Sequence, residues 1–394
     1  MQKLKSNSCF LLLVFLAIFG FSIGTFDNYR ELWMSSNGLS TESISRVISV
    51  SYLVTVLVLF YFTIKVSPNQ LKTGILISLI LNMVTGASLI CLNGTNDFFL
   101  MKFFMFFNIA FSQLILASVY PLMMNISKDD ILYTRKSFVE SFFSKLGFLC
   151  VAVLLGKVFF SKIIDYNFCL LLSVLFNFFA FLVLLWVPVP SKSSTKFNIK
   201  ETVAYFNHNK VLYFFLFVNF LGDMIWGAIL GMPMLLLVNR LSLSSAMASF
   251  MVLGLGICST ILSMVIVKHF RFQNDQYNLI VKYGIRVLFY LLLFITNSKV
   301  LLFIAIVYLF LLDVPYSFIF TSYFINKIEE KYSLFLTTLK YCSSLLGKSL
   351  GTFICGMVFL KEIRYFVLPA LFVSIVHYIF ASLLVHKKVG FGEK

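Results

Sequence analysis

Charge is scarce in this chain. Only 12% of its 394 residues are charged and only sixteen are acidic, against about 25% charged in soluble globular proteins. That excludes an ordinary soluble enzyme or binding module. The seven cysteines fall in or beside apolar segments, and none forms a C-x-x-C pair or a Cys/His metal spacing. They read as apolar packing and indicate no redox compartment. The sequence has no H-E-x-x-H, no G-x-x-x-x-G-K-[ST], no G-x-G-x-x-G after a strand and no readable Ser/His/Asp set. Asp129-Asp130 is a lone acidic pair. No metal, no cofactor and no catalytic residues are expected. A polytopic membrane enzyme or a receptor-like membrane protein is the competing functional class.

What the chain does have is apolar bulk. It is 60% hydrophobic and carries 48 phenylalanines, too many for one soluble core, so lipid must solvate much of the surface. The net charge of +16 does not imply nucleic acid, because the basic residues punctuate the apolar runs as the positive-inside rule demands. A bilayer-spanning helix needs about 20 apolar residues. That ruler predicts an all-α membrane protein with twelve spans, at 9–31, 44–65, 73–93, 99–124, 137–160, 166–187, 211–238, 243–267, 278–296, 299–323, 333–358 and 364–385. Lys3 and Lys5 before the first run resemble a signal peptide, but no small-residue cleavage site follows, so a retained span is expected.

The longest non-apolar stretch separates spans six and seven. It divides the chain into a six-helix half at 1–188, a linker at 189–210 and a second six-helix half at 211–394. Within the linker Ile199, Val203 and Phe206 recur at helical spacing, which predicts either a short amphipathic helix on the membrane surface or a solvated, unstructured linker. With both termini in the cytoplasm, eighteen Lys and Arg lie in inner segments and nine in outer ones. That bias sets the orientation expected in a cell membrane. Lys282 and Arg286, early in span nine, are expected to snorkel to the inner surface.

Two stretches 200 positions apart share a skeleton. Ser144-Lys145-Leu146-Gly147 precedes Gly156-Lys157-Val158-Phe159, and Ser344-Leu345-Leu346-Gly347 precedes Gly356-Met357-Val358-Phe359. An internal repeat of this kind implies two pseudo-symmetric halves, a plan common among solute carriers.

Five acids fall inside apolar spans: Asp27 and Glu31 in span one, Glu140 in span five, Asp223 in span seven and Asp313 in span ten. A carboxylate at a helix centre costs about 2.5–3.5 kcal/mol on insertion scales, so it needs a partner or water. Counting rise per residue puts Asp223, Asp313 and Lys348 near mid-membrane. Three charges at one depth on three helices predict a shared polar cavity, with a structural ion pair as the plainer alternative. A carboxylate there is also a candidate proton carrier, an assignment that a lysine partner opposes. Glu140 and Lys145 lie in the inner half of span five. Asp27 and Glu31, with Arg30 beside them, form either a solvated helix end or a site. Asn108 and Gln113 in span four, and Asn219 and Trp226 flanking Asp223, can hydrogen-bond or stack with a solute, although Asn and Gln also join helices. His377 reads as a helix–helix hydrogen bond, and Pro315 frees a carbonyl in the turn beside Asp313.

Twelve spans, a central basic linker, inward termini and a half-to-half repeat resemble the major facilitator superfamily. The in-span acids fall on spans one, five, seven and ten, none on the three, six, nine and twelve that face lipid in that family. The resemblance implies a secondary transporter that moves a small organic solute across the membrane by alternating access, coupled or not to protons, and acting as a monomer. Two family signatures are missing. The loop from Phe62 to Lys72 keeps only basic character where the family usually reads G-x-x-x-D-R-x-G-R, and the span-five Gly-Pro motif of antiporters is absent.

Overall fold

The computed structural model describes residues 2–27, 29–65, 68–126, 166–188, 199–269, 272–313 and 330–386. Thirteen α-helices of seven or more residues organise them: α1 (Gln2–Phe26), α2 (Arg30–Ser36), α3 (Thr41–Lys65), α4 (Pro68–Leu92), α5 (Phe98–Ile126), α6 (Tyr166–Trp186), α7 (Ile199–His208), α8 (Val211–Leu230), α9 (Ser245–His269), α10 (Phe272–Thr296), α11 (Lys299–Tyr308), α12 (Glu330–Val358) and α13 (Ile363–His386). Among the described residues, seven helices are long and apolar enough to cross a membrane, from Phe10–Ser36 to Ile363–Leu383. The chain is a multi-pass membrane protein. Span five lies outside the described residues, and with it Glu140, Lys145 and the first copy of the repeat. Pro315 and the side chain of Asp313 lie outside them too.

The first apolar run is not one helix. It breaks after Phe26 and resumes at Arg30, although no Gly or Pro marks the spot. The Tyr29 amide bonds Phe26 O at 2.7 Å, tightening the turn, and Trp33 N then bonds Tyr29 O at 2.9 Å. The short α2 ends where Gly38 takes a φ of +85°. Gly38 N returns to Ser35 O and Leu39 N to Met34 O, which satisfies carbonyls the helix end would leave open.

The chain divides into two compact units, Met1–Ser194 with Met234–Thr260, and Thr195–Pro233 with Ile261–Lys394. In the first unit, hydroxyls and amides stitch apolar helices together. Ser22 of α1 donates to Ser173 O of α6 at 3.0 Å. Ser51 and Thr55 of α3 reach Phe106 O and Ala110 O of α5 at 3.1 and 3.3 Å. Lys72, which the sequence placed in a basic loop, lies in the first turns of α4 and donates to Leu185 O and Val187 O at 2.9 and 2.7 Å, closing the end of α6.

In the second unit, α8 packs along α12 through glycines. A Cβ on Gly227 would stand 2.6 Å from Lys348 O and 2.9 Å from Thr352 N. A Cβ on Gly351 would stand 2.7 Å from Ala228 N and 2.8 Å from Gly227 Cα. Gly347, a glycine of the repeat, meets Met224 N and Asp223 Cβ in the same way. Small residues spaced by four let two backbones touch, which suits a solvent that offers no hydrophobic drive between helices.

Two expectations need correction here. The linker helix forms, but its inner face is not the predicted stripe. Val203 is 45% exposed, while Thr202 and Phe206 are buried. Phe206 joins Leu212, Phe215, Tyr283, Tyr332 and Leu336, and Tyr205 stacks on Tyr332 with centroids 4.0 Å apart. Aromatic partners from α10 and α12 rotate the helix onto protein. Lys282 and Arg286 do not reach the surface either, for both are buried. Arg286 Nη2 lies 2.7 Å from His377 Nδ1 across α10 and α13. A guanidinium can only donate, so Nδ1 accepts. His377 is thus an interhelical bond as expected, but to a charged partner 91 residues away.

Candidate functional site

The glycine seam sets the geometry of the mid-span charges. By bringing α8 against α12 it places Lys348 Nζ 3.9 Å from Asp223 Oδ1. The two side chains remain 38% and 22% exposed, so neither is sealed by the pairing. One turn earlier, Asn219 Nδ2 points to Asp223 Oδ2 at 3.4 Å and to Lys340 O at 3.3 Å. Ser343 supports that amide, and its hydroxyl donates to Leu216 O at 2.7 Å. These contacts to Asp223 are long, beyond the 2.7–2.9 Å of a tight charge-assisted bond. Carboxylate and ammonium therefore keep hydrogen-bonding capacity to offer a third partner.

Three residues on from Asp223, the indole of Trp226 meets Phe310 edge-on, with centroids 5.5 Å apart. Phe310 belongs to a π-helical turn, Leu309–Asp313, at the end of α11. A widened turn inside a helix is often a functional feature, and here it carries Asp313. Of the residues predicted for the site, Asp223, Lys348, Asn219 and Trp226 gather in one place.

Asn108 does something else. Its amide donates to Asn82 O and Thr85 Oγ1, both at 3.2 Å. Asn82 returns bonds to Asn108 O at 2.8 Å and Ser112 Oγ at 3.0 Å, and Asn177 donates to Asn82 Oδ1 at 2.7 Å. This buried network joins α4, α5 and α6. Gln113 lies half-buried further along α5.

The charges of span one are not a solvated helix end. Arg30 is 8% exposed and Glu31 is 2% exposed. Asp27 Oδ2 stands 3.7 Å from Arg30 Nη1, and Arg30 Nη2 donates to Tyr52 OH at 3.2 Å. Glu31 accepts the amides of Met234 and Leu235 at 3.2 and 3.4 Å. These donors lie just after Pro233, more than 200 positions away in sequence. Tyr52, Ser343 and the glycines at 227, 231 and 351 were not among the predicted site residues. The small-x-x-x-small spacing of Gly227 with Gly231, and of Gly347 with Gly351, was the available signal for the seam.

No protein-family model matches this chain, and no curated protein does. Solved structures do. The human organic anion transporter MFSD10 is similar at 10% identity over 96% of this chain and 99% of its own, with a TM-score of 0.69. The major facilitator superfamily transporter FucP, in its outward conformation, is similar at 13% identity over 96% and 99%, with a TM-score of 0.66. The nucleoside transporter NupG is similar at 16% identity over 97% and 99%, with a TM-score of 0.64. With near-complete coverage in both directions, this chain has the fold of the major facilitator superfamily transporters.

Proposed function

We propose that the chain is a divergent member of that superfamily and a secondary transporter, not an enzyme. It moves a small organic solute through two six-helix halves, with residues 1–188 and 211–394 as the halves, 189–210 as the linker and both termini cytoplasmic. The observation that carries this reading is the half-exposed Asp223–Lys348 pair. Two opposite charges stand inside apolar helices, held in place by a backbone-tight seam yet not consumed by each other. Asn219 orients the carboxylate and Trp226 supplies an aromatic face. Asp313 completes the acidic set from the π-helical turn, and Asp27, Glu140, Lys145, Asn108 and Gln113 are the first-half candidates. The protein works as a monomer in the cell membrane.

The test is solute flux in proteoliposomes, with a panel opened by an organic anion, fucose and a nucleoside, the solutes named for similar folds. Flux that Asp223→Asn and Asp313→Asn both leave intact removes the site from the mechanism. A parallel arm with an imposed pH gradient decides whether protons are coupled. Acceleration that disappears in Asp223→Asn assigns the proton to that carboxylate.

A further inference from the structure

The span-one cluster leaves buried donors open among the described residues. Arg30 is buried and spends Nη2 on Tyr52. Among the described residues its Nε and Nη1 have no hydrogen-bond acceptor. Asp27 lies near Nη1, but at 3.7 Å it is an ion pair and not a hydrogen bond. Glu31 commits Oε2 to two backbone amides, and among the described residues no hydrogen bond joins its other oxygen to Arg30. Trp33 is fully buried, and its Nε1 also lacks an acceptor among the described residues. Trp33 follows Arg30 by three residues on α2, so the two side chains share one face of that helix. Buried donors left open carry a full desolvation cost. Nε and Nη1 lie on different edges of the guanidinium, but Nη2 has a second N–H beside the one given to Tyr52, so one two-pronged edge stays open to the two oxygens of a carboxylate or phosphate.

We propose that Arg30 and Trp33 form an oxyanion subsite, and that the transported solute carries a carboxylate or phosphate group which binds there. The inference rests on the transporter reading and narrows its substrate class. The arriving oxyanion competes with Asp27 for Nη1, so Asp27 tunes affinity downward. That gives the proposal a sign which a merely structural arginine would not show.

Binding can be read without transport. The chain has three tryptophans, Trp33, Trp186 and Trp226, so the emission change is assigned to the subsite by its loss in Trp33→Phe protein, which keeps Trp186 and Trp226. The full-length protein in maltoside detergent is titrated with glutarate and with inorganic phosphate, using glutaramide and chloride as controls. The expected result is a saturable change in Trp33 emission with an oxyanion and none with the controls. Arg30→Lys weakens it by about tenfold, since charge remains but the two-pronged geometry is lost, and Arg30→Gln abolishes it. Asp27→Asn tightens it several-fold. No oxyanion response up to about 10 mM, a concentration that would reveal even millimolar binding, overturns the proposal. So does a response that survives in Arg30→Gln protein with native helicity and elution. Should Arg30→Gln not fold, the Arg30→Lys and Asp27→Asn shifts in opposite directions decide. Repeating the titration in phospholipid nanodiscs separates solute from lipid. Loss of the response there assigns the oxyanion to a lipid headgroup and overturns the assignment to solute. Flux of an uncharged solute with no Trp33 response would refute the oxyanion subsite and leave the transporter reading standing.

Discussion

The α8–α12 seam and the α4–α5–α6 bundle solve the same problem differently. Both place polar groups inside apolar helices. In the bundle, Asn82, Asn108 and Asn177 are buried and joined by bonds of 2.7–3.2 Å. In the seam, glycine backbones make the contact, and Asp223 and Lys348 meet only at 3.9 Å while staying partly exposed. Residue type does not separate the two roles. What separates them is whether the polar atoms are sealed by short bonds or left with capacity to spare. The amides of the bundle hold helices together, whereas the charges of the seam wait for something.

That contrast can be broken in four ways, from large effects to small. Leucine at Gly351 forces side-chain atoms into the α8 backbone and should cost about 3 kcal/mol or more, seen as loss of monodisperse protein in detergent. Leucine at Gly254 is its control, since a Cβ there meets nothing within 4 Å, and it should fold normally. Equal behaviour of the two variants would dissolve the seam as a structural device. Next, Asp223→Asn should cut flux by at least about tenfold, near 1.4 kcal/mol, with the thermal midpoint almost unmoved. A large fall in that midpoint would instead make the pair a structural tie. In the bundle, Asn82→Ala should reverse the pattern. Stability drops by about 1–2 kcal/mol, while flux per folded molecule stays near wild type. If flux falls further than stability does, the amide network belongs to the solute path. The smallest effect sets the floor. Glu42 pairs with Arg46 one turn on along α3, both exposed, and Glu42→Gln should shift stability by no more than about 0.5 kcal/mol.

Much of this was legible in the sequence, for a physical reason. Apolar runs of membrane length report helices directly, because hydrocarbon leaves the backbone few other solutions. Thus Tyr166–Trp186 and Ile363–His386 fall within a residue of their predicted ends. Depth along a helix was legible too, and it put Asp223 beside Lys348. Rotation about the helix axis was not. Asn108 and Asn219 look alike in sequence, yet one faces Asn82 and the other faces a carboxylate. Lys282 and Arg286 were read from distance to the helix end, whereas Tyr283 beneath them and His377 on another helix decide where they go. The break before Arg30 carried no Gly or Pro. It is held by contacts to Tyr52 and to the amides after Pro233, none of them local.

The glycine seam also behaves as a ladder with evenly spaced rungs. Gly347 sits beside Asp223 and Met224, and Gly351 sits beside Gly227 and Ala228, four residues further along both helices. Sliding α12 by one turn would seat Gly351 where Gly347 was and bring Cys355, small and buried, to the next rung. Sterics already oppose that shift, because a Cβ on the Gly351 rung stands 2.7 Å from Ala228 N. The charges oppose it too, because Thr352 would then replace Lys348 opposite Asp223. The ion pair is therefore also the alignment mark of the two helices, and neutralising it would remove a registration constraint as well as a charge.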